Sequence, residues 1–492
     1  MIGLVLYLVL IAAVAVWAWG KNRTKEDFIL GGRKLGAWVI AFSERTAAES
    51  SWLLLGLSGA LYSAGLVEIW TVIGCVSGIV VYWFVVARKL RVVSETMGAI
   101  TLPQYFFAFS GRHGRAVRVI GMLIIVFFFS FYVAAQFLGA GKVLEVTFGL
   151  EVWWGVPLAA FVVVIYTMAG GFTAVCYTDV VQAILMIITL VVMPVIGLVF
   201  ITTQGYDIGA AMAATGETAS LTAGEGGWAG AAAVIGGLSW GLGYLGQPHL
   251  VTKFMAIDSA DSIRVSRRVA MVWTVLAYAG AALVGVVGIT LVHHAQVPTA
   301  GLVGHGADPE RILPVLAGRL FPAWIAGILI AGAVAAMMST ADSQLLITTS
   351  TAVEDFYARA LGREISQREM VVLSRLVTVL VGLAAFDLAL ASDDLIYDVV
   401  SLAWAGLGSS FGPALVLSLH WKKMNGAGVI GSMVTGSVST ALWKWVPGLD
   451  ELISVRFAAF ALATAAAVIC ALAFPDSDRD SQRQRTQLVT GS

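Results

Sequence analysis

Four short stretches place groups capable of ion or solute chemistry inside otherwise apolar sequence. Ser43-Glu44-Arg45-Thr46-Ala47-Ala48-Glu49-Ser50-Ser51-Trp52 sets carboxylates, a guanidinium and hydroxyls just ahead of Leu53-Leu54-Leu55-Gly56. Tyr177-Thr178-Asp179 follows Gly170-Gly171-Phe172, and Ser339-Thr340-Ala341-Asp342 follows Ala335-Ala336-Met337-Met338. In Trp240-Gly241-Leu242-Gly243-Tyr244-Leu245-Gly246-Gln247-Pro248-His249, three glycines and a proline interrupt an apolar run. Hydroxyl, carbonyl and carboxylate oxygens are what a hard monovalent cation needs in place of its hydration water. Charged groups inside a membrane span are costly and mark ion or proton paths.

Each stretch also has a plainer reading. Glu44 and Arg45 can form an ion pair near the cytoplasmic face, and Asp179 can cap a helix N-terminus. Ser339 and Thr340 can bond back to their own helix or join neighbouring helices. Glu49 and Asp342 fit those readings less well. The glycine- and proline-rich stretch is different again, because a broken spanning helix persists only where protein or a water-filled cavity satisfies its freed backbone groups. Such breaks form substrate and ion sites in secondary transporters, where half-helix N-termini attract anions and unwound carbonyls hold cations.

The elements that must position these groups are membrane spans. Of 492 residues 59% are hydrophobic and 12% charged, against roughly a quarter charged in a soluble domain. This composition marks an integral membrane protein, and equal numbers of basic and acidic residues, 30 each, give no charge imbalance that would favour nucleic acid. Windows of about 20 apolar residues predict about thirteen spans, near 2–20, 37–64, 67–87, 117–146, 152–170, 176–203, 228–249, 269–293, 321–353, 371–391, 396–420, 427–446 and 453–474. Basic residues gather in alternate loops: Lys21, Arg23 and Lys25; Arg88, Lys89 and Arg91; Arg112, Arg115 and Arg118; Lys253, Arg264, Arg267 and Arg268; Arg359, Arg363 and Arg368; Lys422 and Lys423; and Arg479, Arg483 and Arg485 in the tail. By the positive-inside rule this places the N-terminus outside and the C-terminus in the cytoplasm of a multi-pass plasma (inner) membrane protein.

The apolar N-terminus lacks the basic region of a cleaved signal peptide. Residues 1–475 read as one transport domain and 476–492 as a short cytoplasmic tail. Cys75, Cys176 and Cys470 read as packed, reduced thiols, and His293, His294 and His305 as residues of a solvated loop. Asp387, within the tenth span, has no evident role.

In these motifs the chain resembles the sodium/solute symporter family, and within it the proline carriers. The resemblance is carried by Ile29-Leu30-Gly31-Gly32-Arg33, Trp52-Leu53-Leu54-Leu55-Gly56-Leu57, Ala169-Gly170-Gly171-Phe172 with Thr178-Asp179, the stretch from Trp240 to Met255, and Ser401-Leu402-Ala403-Trp404-Ala405-Gly406 with Phe411-Gly412-Pro413. It implies an all-α membrane fold with an inverted five-plus-five repeat of the amino-acid transporter type, over about 37–203 and 228–420, with broken helices in spans two and seven. It further implies a sodium site built from the carbonyls of Thr46, Glu49 and Ala336 and the hydroxyls of Ser339 and Thr340. Asp179 would take part in cation coupling. Trp52, Gly56, Tyr132, Trp240, Tyr244 and Pro248 would contact the solute. One position departs: the proline carriers have an aspartate where this chain has Ala48, and Glu49, one residue on, points about 100° around a helix. Asp342 is the candidate to restore that charge.

The expectation is therefore sodium-coupled uptake of a small zwitterion, proline foremost, with Na+ as the co-transported ion. Membrane lipid is the surrounding partner, with no nucleic acid and no obligate protein partner. Proton coupling through Asp179, Asp342 or Glu49, carriage of betaine or another amino acid, and a transporter-like solute sensor are the alternatives. The sequence carries no Ser/His/Asp arrangement, metal-ligand spacing or phosphate loop that would point to an enzyme.

Overall fold

Apolar helices that cannot bury all their surface against one another leave an apolar outer skin, and this chain has one. The computed structural model describes residues 2–19, 25–215, 217–297, 301–302, 307–364, 366–392 and 394–475. Lys21, Arg23, His305 and the tail from 476, with Arg479, Arg483 and Arg485, lie outside the described residues. The described residues form helices and no strand, with one isolated bridge between Leu35 and Ile257. The helices used below are α1 (Ile2–Trp19), α2 (Ala37–Ala48), α3 (52–64), α4 (69–96), α5 (Leu102–Phe109), α6 (Gly114–Phe148), α7 (152–170), α8 (172–204), α9 (Gly227–Gly246), α10 (Pro248–Ala256), α11 (Ser262–His293), α12 (Ile312–Leu320), α13 (Ala323–Ala360), α14 (Gln367–Ala391), α15 (Ile396–His420), α16 (Gly426–Trp445) and α17 (Val455–Ala473).

Nine described helical segments are long and apolar enough to cross a membrane. Val372, Leu376, Leu380 and Leu383 form an exposed stripe on α14, and Ile184, Ile188, Val192, Val195 and Val199 form another on α8. Stripes of that length suit hydrocarbon, not water. At the centre stands α13, buried at every position from 335 to 351. Between α7 and α8 the chain turns at Gly171, whose φ of 63° and ψ of 178° interrupt the helix.

Both expected breaks are present. The first separates α2 from α3 at Glu49-Ser50-Ser51, where Glu49 leaves helical geometry at φ −104°, ψ 65°. The second separates α9 from α10 at Gln247, φ −79°, ψ 110°. Pro248 opens α10 at a position whose N–H would have no helical partner in any case.

One end of the bundle is fastened by arginines. Arg33 donates to the carbonyls of Met255 at 2.8 Å and Ala99 at 2.6 Å, and Arg91 to those of Ile257 at 2.7 Å and Asp258 at 3.1 Å. The Asp258 amide donates to the Leu35 carbonyl at 3.0 Å, so the start of α2 and the end of α10 share one fastening. Arg91 thus belongs to a buried clasp and not to a loop. The same correction applies to Lys253 and Arg118, both buried. Lys253 sits on α10 because the helix resumes after the break and carries it back into the protein, while Arg118 lies over the Phe107 ring, 3.7 Å from its centroid.

Glu310 fastens the opposite end. Its carboxylate accepts from Lys142 Nζ at 2.5 Å and from the Ile396 and Tyr397 amides at 2.9 Å each, closing the N-terminus of α15. Burial pushes the Glu310 carboxyl up, and Lys142 and the two amides pull it back. The two amides also carry the positive end of the α15 dipole. The remaining expectations resolve simply: Cys75 and Cys176 are buried free thiols and Cys470 is half-buried, His294 stacks on Tyr206 at 4.1 Å, and Asp387 is exposed near the end of α14.

Removing Glu310 leaves Lys142 its second partner, Asp308 at 3.0 Å, but strands the Ile396 and Tyr397 amides at about 1–3 kcal/mol each. Glu310→Ala should therefore open this end and speed labelling of a Ser58→Cys thiol, buried on α3, by a membrane-impermeant maleimide, measured over the background of the native thiols. Equal labelling rates with and without Glu310 would refute the latch.

Candidate functional site

Breaking α2 exposes three carbonyls in the protein interior, and a side chain meets each. Ser339 Oγ donates to the Thr46 carbonyl at 3.1 Å, Thr340 Oγ1 to that of Ala47 at 3.1 Å, and Trp52 Nε1 to that of Ala48 at 3.1 Å. His249 Nε2 also lies 3.3 Å from the Ala47 oxygen. On the far side of the break, Gln136 from α6 accepts from the Ser51 amide and hydroxyl at 3.1 and 2.9 Å. Ser339 bonds back to Ala336 within its own helix, at 3.0 Å, while also reaching across to α2. Thr46, Ala336, Ser339 and Thr340 therefore come together as a group of neutral oxygens with the Ala47 carbonyl. The Glu49 side chain turns away from them, toward Arg45.

The aromatic residues gather at both breaks. Trp52 stacks on Trp240, ring centroids 4.7 Å apart and planes 9° from parallel. Trp404 from α15 stands edge-on to Tyr244 at 4.7 Å and to Tyr132 at 6.2 Å. Trp404 also donates to the Trp240 carbonyl at 2.9 Å, taking up a group freed near the second break, and its own carbonyl accepts from Gln247 at 3.3 Å. The absence of a side chain on Gly243 makes that approach possible, since a Cβ there would overlap the Trp404 indole. Gly56 on α3 faces the Tyr397 backbone. The six expected solute contacts lie on helices that meet here, and Trp404, Tyr278, His249 and Gln247 join them. Trp404 was visible in the sequence only as part of a motif.

A second polar cluster lies one helical turn along α13. Asp179 Oδ2 accepts from Ser43 Oγ at 2.5 Å and Lys253 Nζ at 3.2 Å, and Lys253 also reaches Ser343 Oγ at 3.3 Å. Asp179 lies inside α8, so it does not cap that helix. The Thr46 hydroxyl connects this cluster to the cage by reaching the Asp179 carbonyl at 3.2 Å. Asp342 is fully buried beside Asp179 and Lys253, and neither of its carboxylate oxygens has a hydrogen-bond partner among the described residues. Tyr7 from α1 accepts from Gln182 at 3.0 Å and faces Asp342. Asp342 therefore belongs with Asp179 and Lys253, one turn from the carbonyl cage.

The sequence profile of the sodium:solute symporter family matches residues 28–436. The chain belongs to that family. It is 38% identical over 440 residues to the sodium/proline symporter of Escherichia coli, covering 89% of this chain and 86% of that one. It is 36% identical over 436 residues to sodium/proline symporter 2 of Staphylococcus saprophyticus, covering 87% and 82%. Among solved structures, an outward-open, substrate-bound Na+-coupled sialic acid symporter aligns with a TM-score of 0.78 at 19% identity, over 97% of this chain and 98% of that one. A nucleobase-cation-symport-1 family transporter in a closed conformation aligns with a TM-score of 0.55 at 14% identity, over 93% and 97%. These two likenesses show a shared transporter fold.

Lys253→Met would leave Asp179 and Asp342 as adjacent buried carboxylates without their cation, at a cost of about 3–5 kcal/mol. Adding Asp179→Asn should recover part of the lost thermal stability, because the carboxylate that Lys253 pairs with, and its repulsion of Asp342, are then gone. Simple additivity of the two melting-temperature changes in detergent would count against the pairing.

Proposed function

We propose that this chain couples the inward movement of Na+ to uptake of a small zwitterion, L-proline foremost, by alternating access. The observation that carries the proposal is the joining of two breaks. Carbonyls of α2 face the Ser339 and Thr340 hydroxyls, and the aromatic group of Trp52, Trp240, Tyr244 and Trp404 stands directly against them. Oxygens now bonded to one another can exchange those bonds for a cation. A compact, partly apolar ring suits the indole faces beside it. The printed names of the Escherichia coli and Staphylococcus saprophyticus relatives agree with this pairing of ion and solute.

In this proposal Thr46, Ala336, Ser339 and Thr340, with the Glu49 carbonyl, hold sodium. Trp52, Gly56, Tyr132, Trp240, Tyr244 and Pro248 hold the solute. Asp179 and Asp342 supply the coupling charge. Asp179 is compensated by Lys253, which leaves Asp342, one turn along α13 from the cage, as the counterpart of the carboxylate missing at Ala48. The inverted repeat over 37–203 and 228–420 lets one group of helices rock against the other. The N-terminus lies outside and the tail in the cytoplasm, so the Arg33 clasp closes the inner face and the Glu310 latch the outer one. One charge moved across 100 mV is worth about 2.3 kcal/mol, enough to concentrate solute roughly fifty-fold.

The bare carboxylate of Asp342 also favours a second reading, in which a proton replaces sodium. Uptake of radiolabelled proline into proteoliposomes at fixed pH separates the two. Saturable uptake that requires sodium is expected, and uptake indifferent to sodium would overturn the sodium reading. Losing one hydroxyl ligand should raise the half-saturating sodium concentration about tenfold or more in Ser339→Ala or Thr340→Ala. Asp342→Asn should weaken sodium dependence as well, and an unchanged dependence would remove Asp342 from coupling.

A further inference from the structure

The Glu44–Arg45–Glu49 group is a fully buried ionic triad. Arg45 pairs in two-pronged fashion with Glu44, donating through Nη2 to Oε1 and through Nε to Oε2, the latter at 2.7 Å. Trp83 Nε1 donates to the same Oε2 at 3.1 Å. Both oxygens of Glu44 are thus engaged and its charge is matched. Glu49 has less: Oε1 accepts from Arg45 Nη1 at 3.0 Å, while no cation among the described residues meets Oε2. By itself the triad therefore carries one more negative than positive charge in the buried interior.

That charge stands at the solute site. Glu49 is the residue at which α2 ends, three before Trp52, and the Tyr244 and Tyr278 hydroxyls approach its carboxylate as neutral hydrogen-bonding groups. Arg45 lies over the Tyr244 ring at 5.6 Å. Other unsatisfied polar atoms lie on the residues around the stacked indoles: the Tyr132 hydroxyl and Trp240 Nε1, which can donate, and Gln247 Oε1, which can only accept. Buried polar atoms are rarely left unpaired without a ligand or water to meet them. Unpaired donors together with an unpaired anionic acceptor are what a zwitterion would satisfy, the donors serving its carboxylate and the acceptor its cationic nitrogen.

We propose that Oε2 of Glu49 receives the cationic nitrogen of the transported solute and so restricts the carrier to amines, excluding neutral isosteres. This rests on the uptake reading above and specifies it. The solute completes the charge balance of the triad, and an uncharged analogue would leave the Glu49 charge without a counter-charge in a buried site.

The experiment compares L-proline with tetrahydrofuran-2-carboxylate, in which a ring oxygen replaces the charged nitrogen, as competitors of radiolabelled proline binding to the full-length protein in proteoliposomes. A charged hydrogen bond predicts that the unaltered protein prefers proline by about 100-fold. Glu49→Gln should reduce that preference to a few-fold while leaving affinity for the oxygen analogue in place, and Glu49→Asp should restore part of it. A purely structural role for Glu49 would weaken both competitors together. Such a shared loss, or an unchanged preference, overturns the inference. A lack of proline binding by the unaltered protein removes the uptake reading and this inference with it, whereas intact binding with an unchanged preference removes this inference alone.

Discussion

Three backbone carbonyls, those of Thr46, Ala47 and Ala48, set the terms for the rest of this structure. A helix broken in the interior of a membrane protein strands such oxygens at a cost of several kcal/mol apiece. Every major feature around the break relieves that cost or exploits it. α13 is buried throughout its middle because Ser339 and Thr340 must reach the first two carbonyls. Trp52 is held in place because its indole nitrogen takes the third. Placing the ring there in turn brings it against Trp240 and the second break. The group of neutral oxygens and the aromatic group are two results of one backbone constraint, which accounts for their contact.

The charges inside the bundle follow a related rule. A buried charge is tolerated where a partner holds it, as Lys253 holds Asp179 and Arg45 holds Glu44. Asp342 departs furthest, with both oxygens bare, while Glu49 keeps one bare oxygen, as Asp179 and Asp355 do. Asp342 and Glu49 flank the break on different sides, Asp342 one turn along α13 from the cage and Glu49 at the end of α2.

Much of this was legible in the sequence because membrane burial makes exceptions conspicuous. The glycines and proline from Gly241 to Pro248 stand out in an apolar run, and so do the polar residues from Ser43 to Ser51; both marked true breaks. Ser339, Thr340 and Asp342 were recognisable as oxygens inside a span. Lys253 was not legible, since a lysine ten residues past the start of Gly243-Tyr244-Leu245-Gly246 reads as a loop cation when the helix is assumed to end at its break. The roles of Gln136, Tyr278 and Trp404 depend on contacts between residues far apart in the chain, which periodicity does not report. The pairing of Glu44 with Arg45 was readable, but its depth was not, because neighbouring opposite charges look the same at an interface and in a core.

The short fastening between Leu35 and Ile257 bears on how tightly two fluxes can be geared together. It joins the start of α2, which bears the cage carbonyls, to the end of α10, which follows directly from the aromatic stretch. Neither half-helix can swing outward at that end while its neighbour stays fastened. Releasing the clasp would disturb the oxygens proposed for the ion and the rings proposed for the solute in one stroke, so a carrier hinged in this way would have little opportunity for slippage, in which one passenger leaves and the other remains.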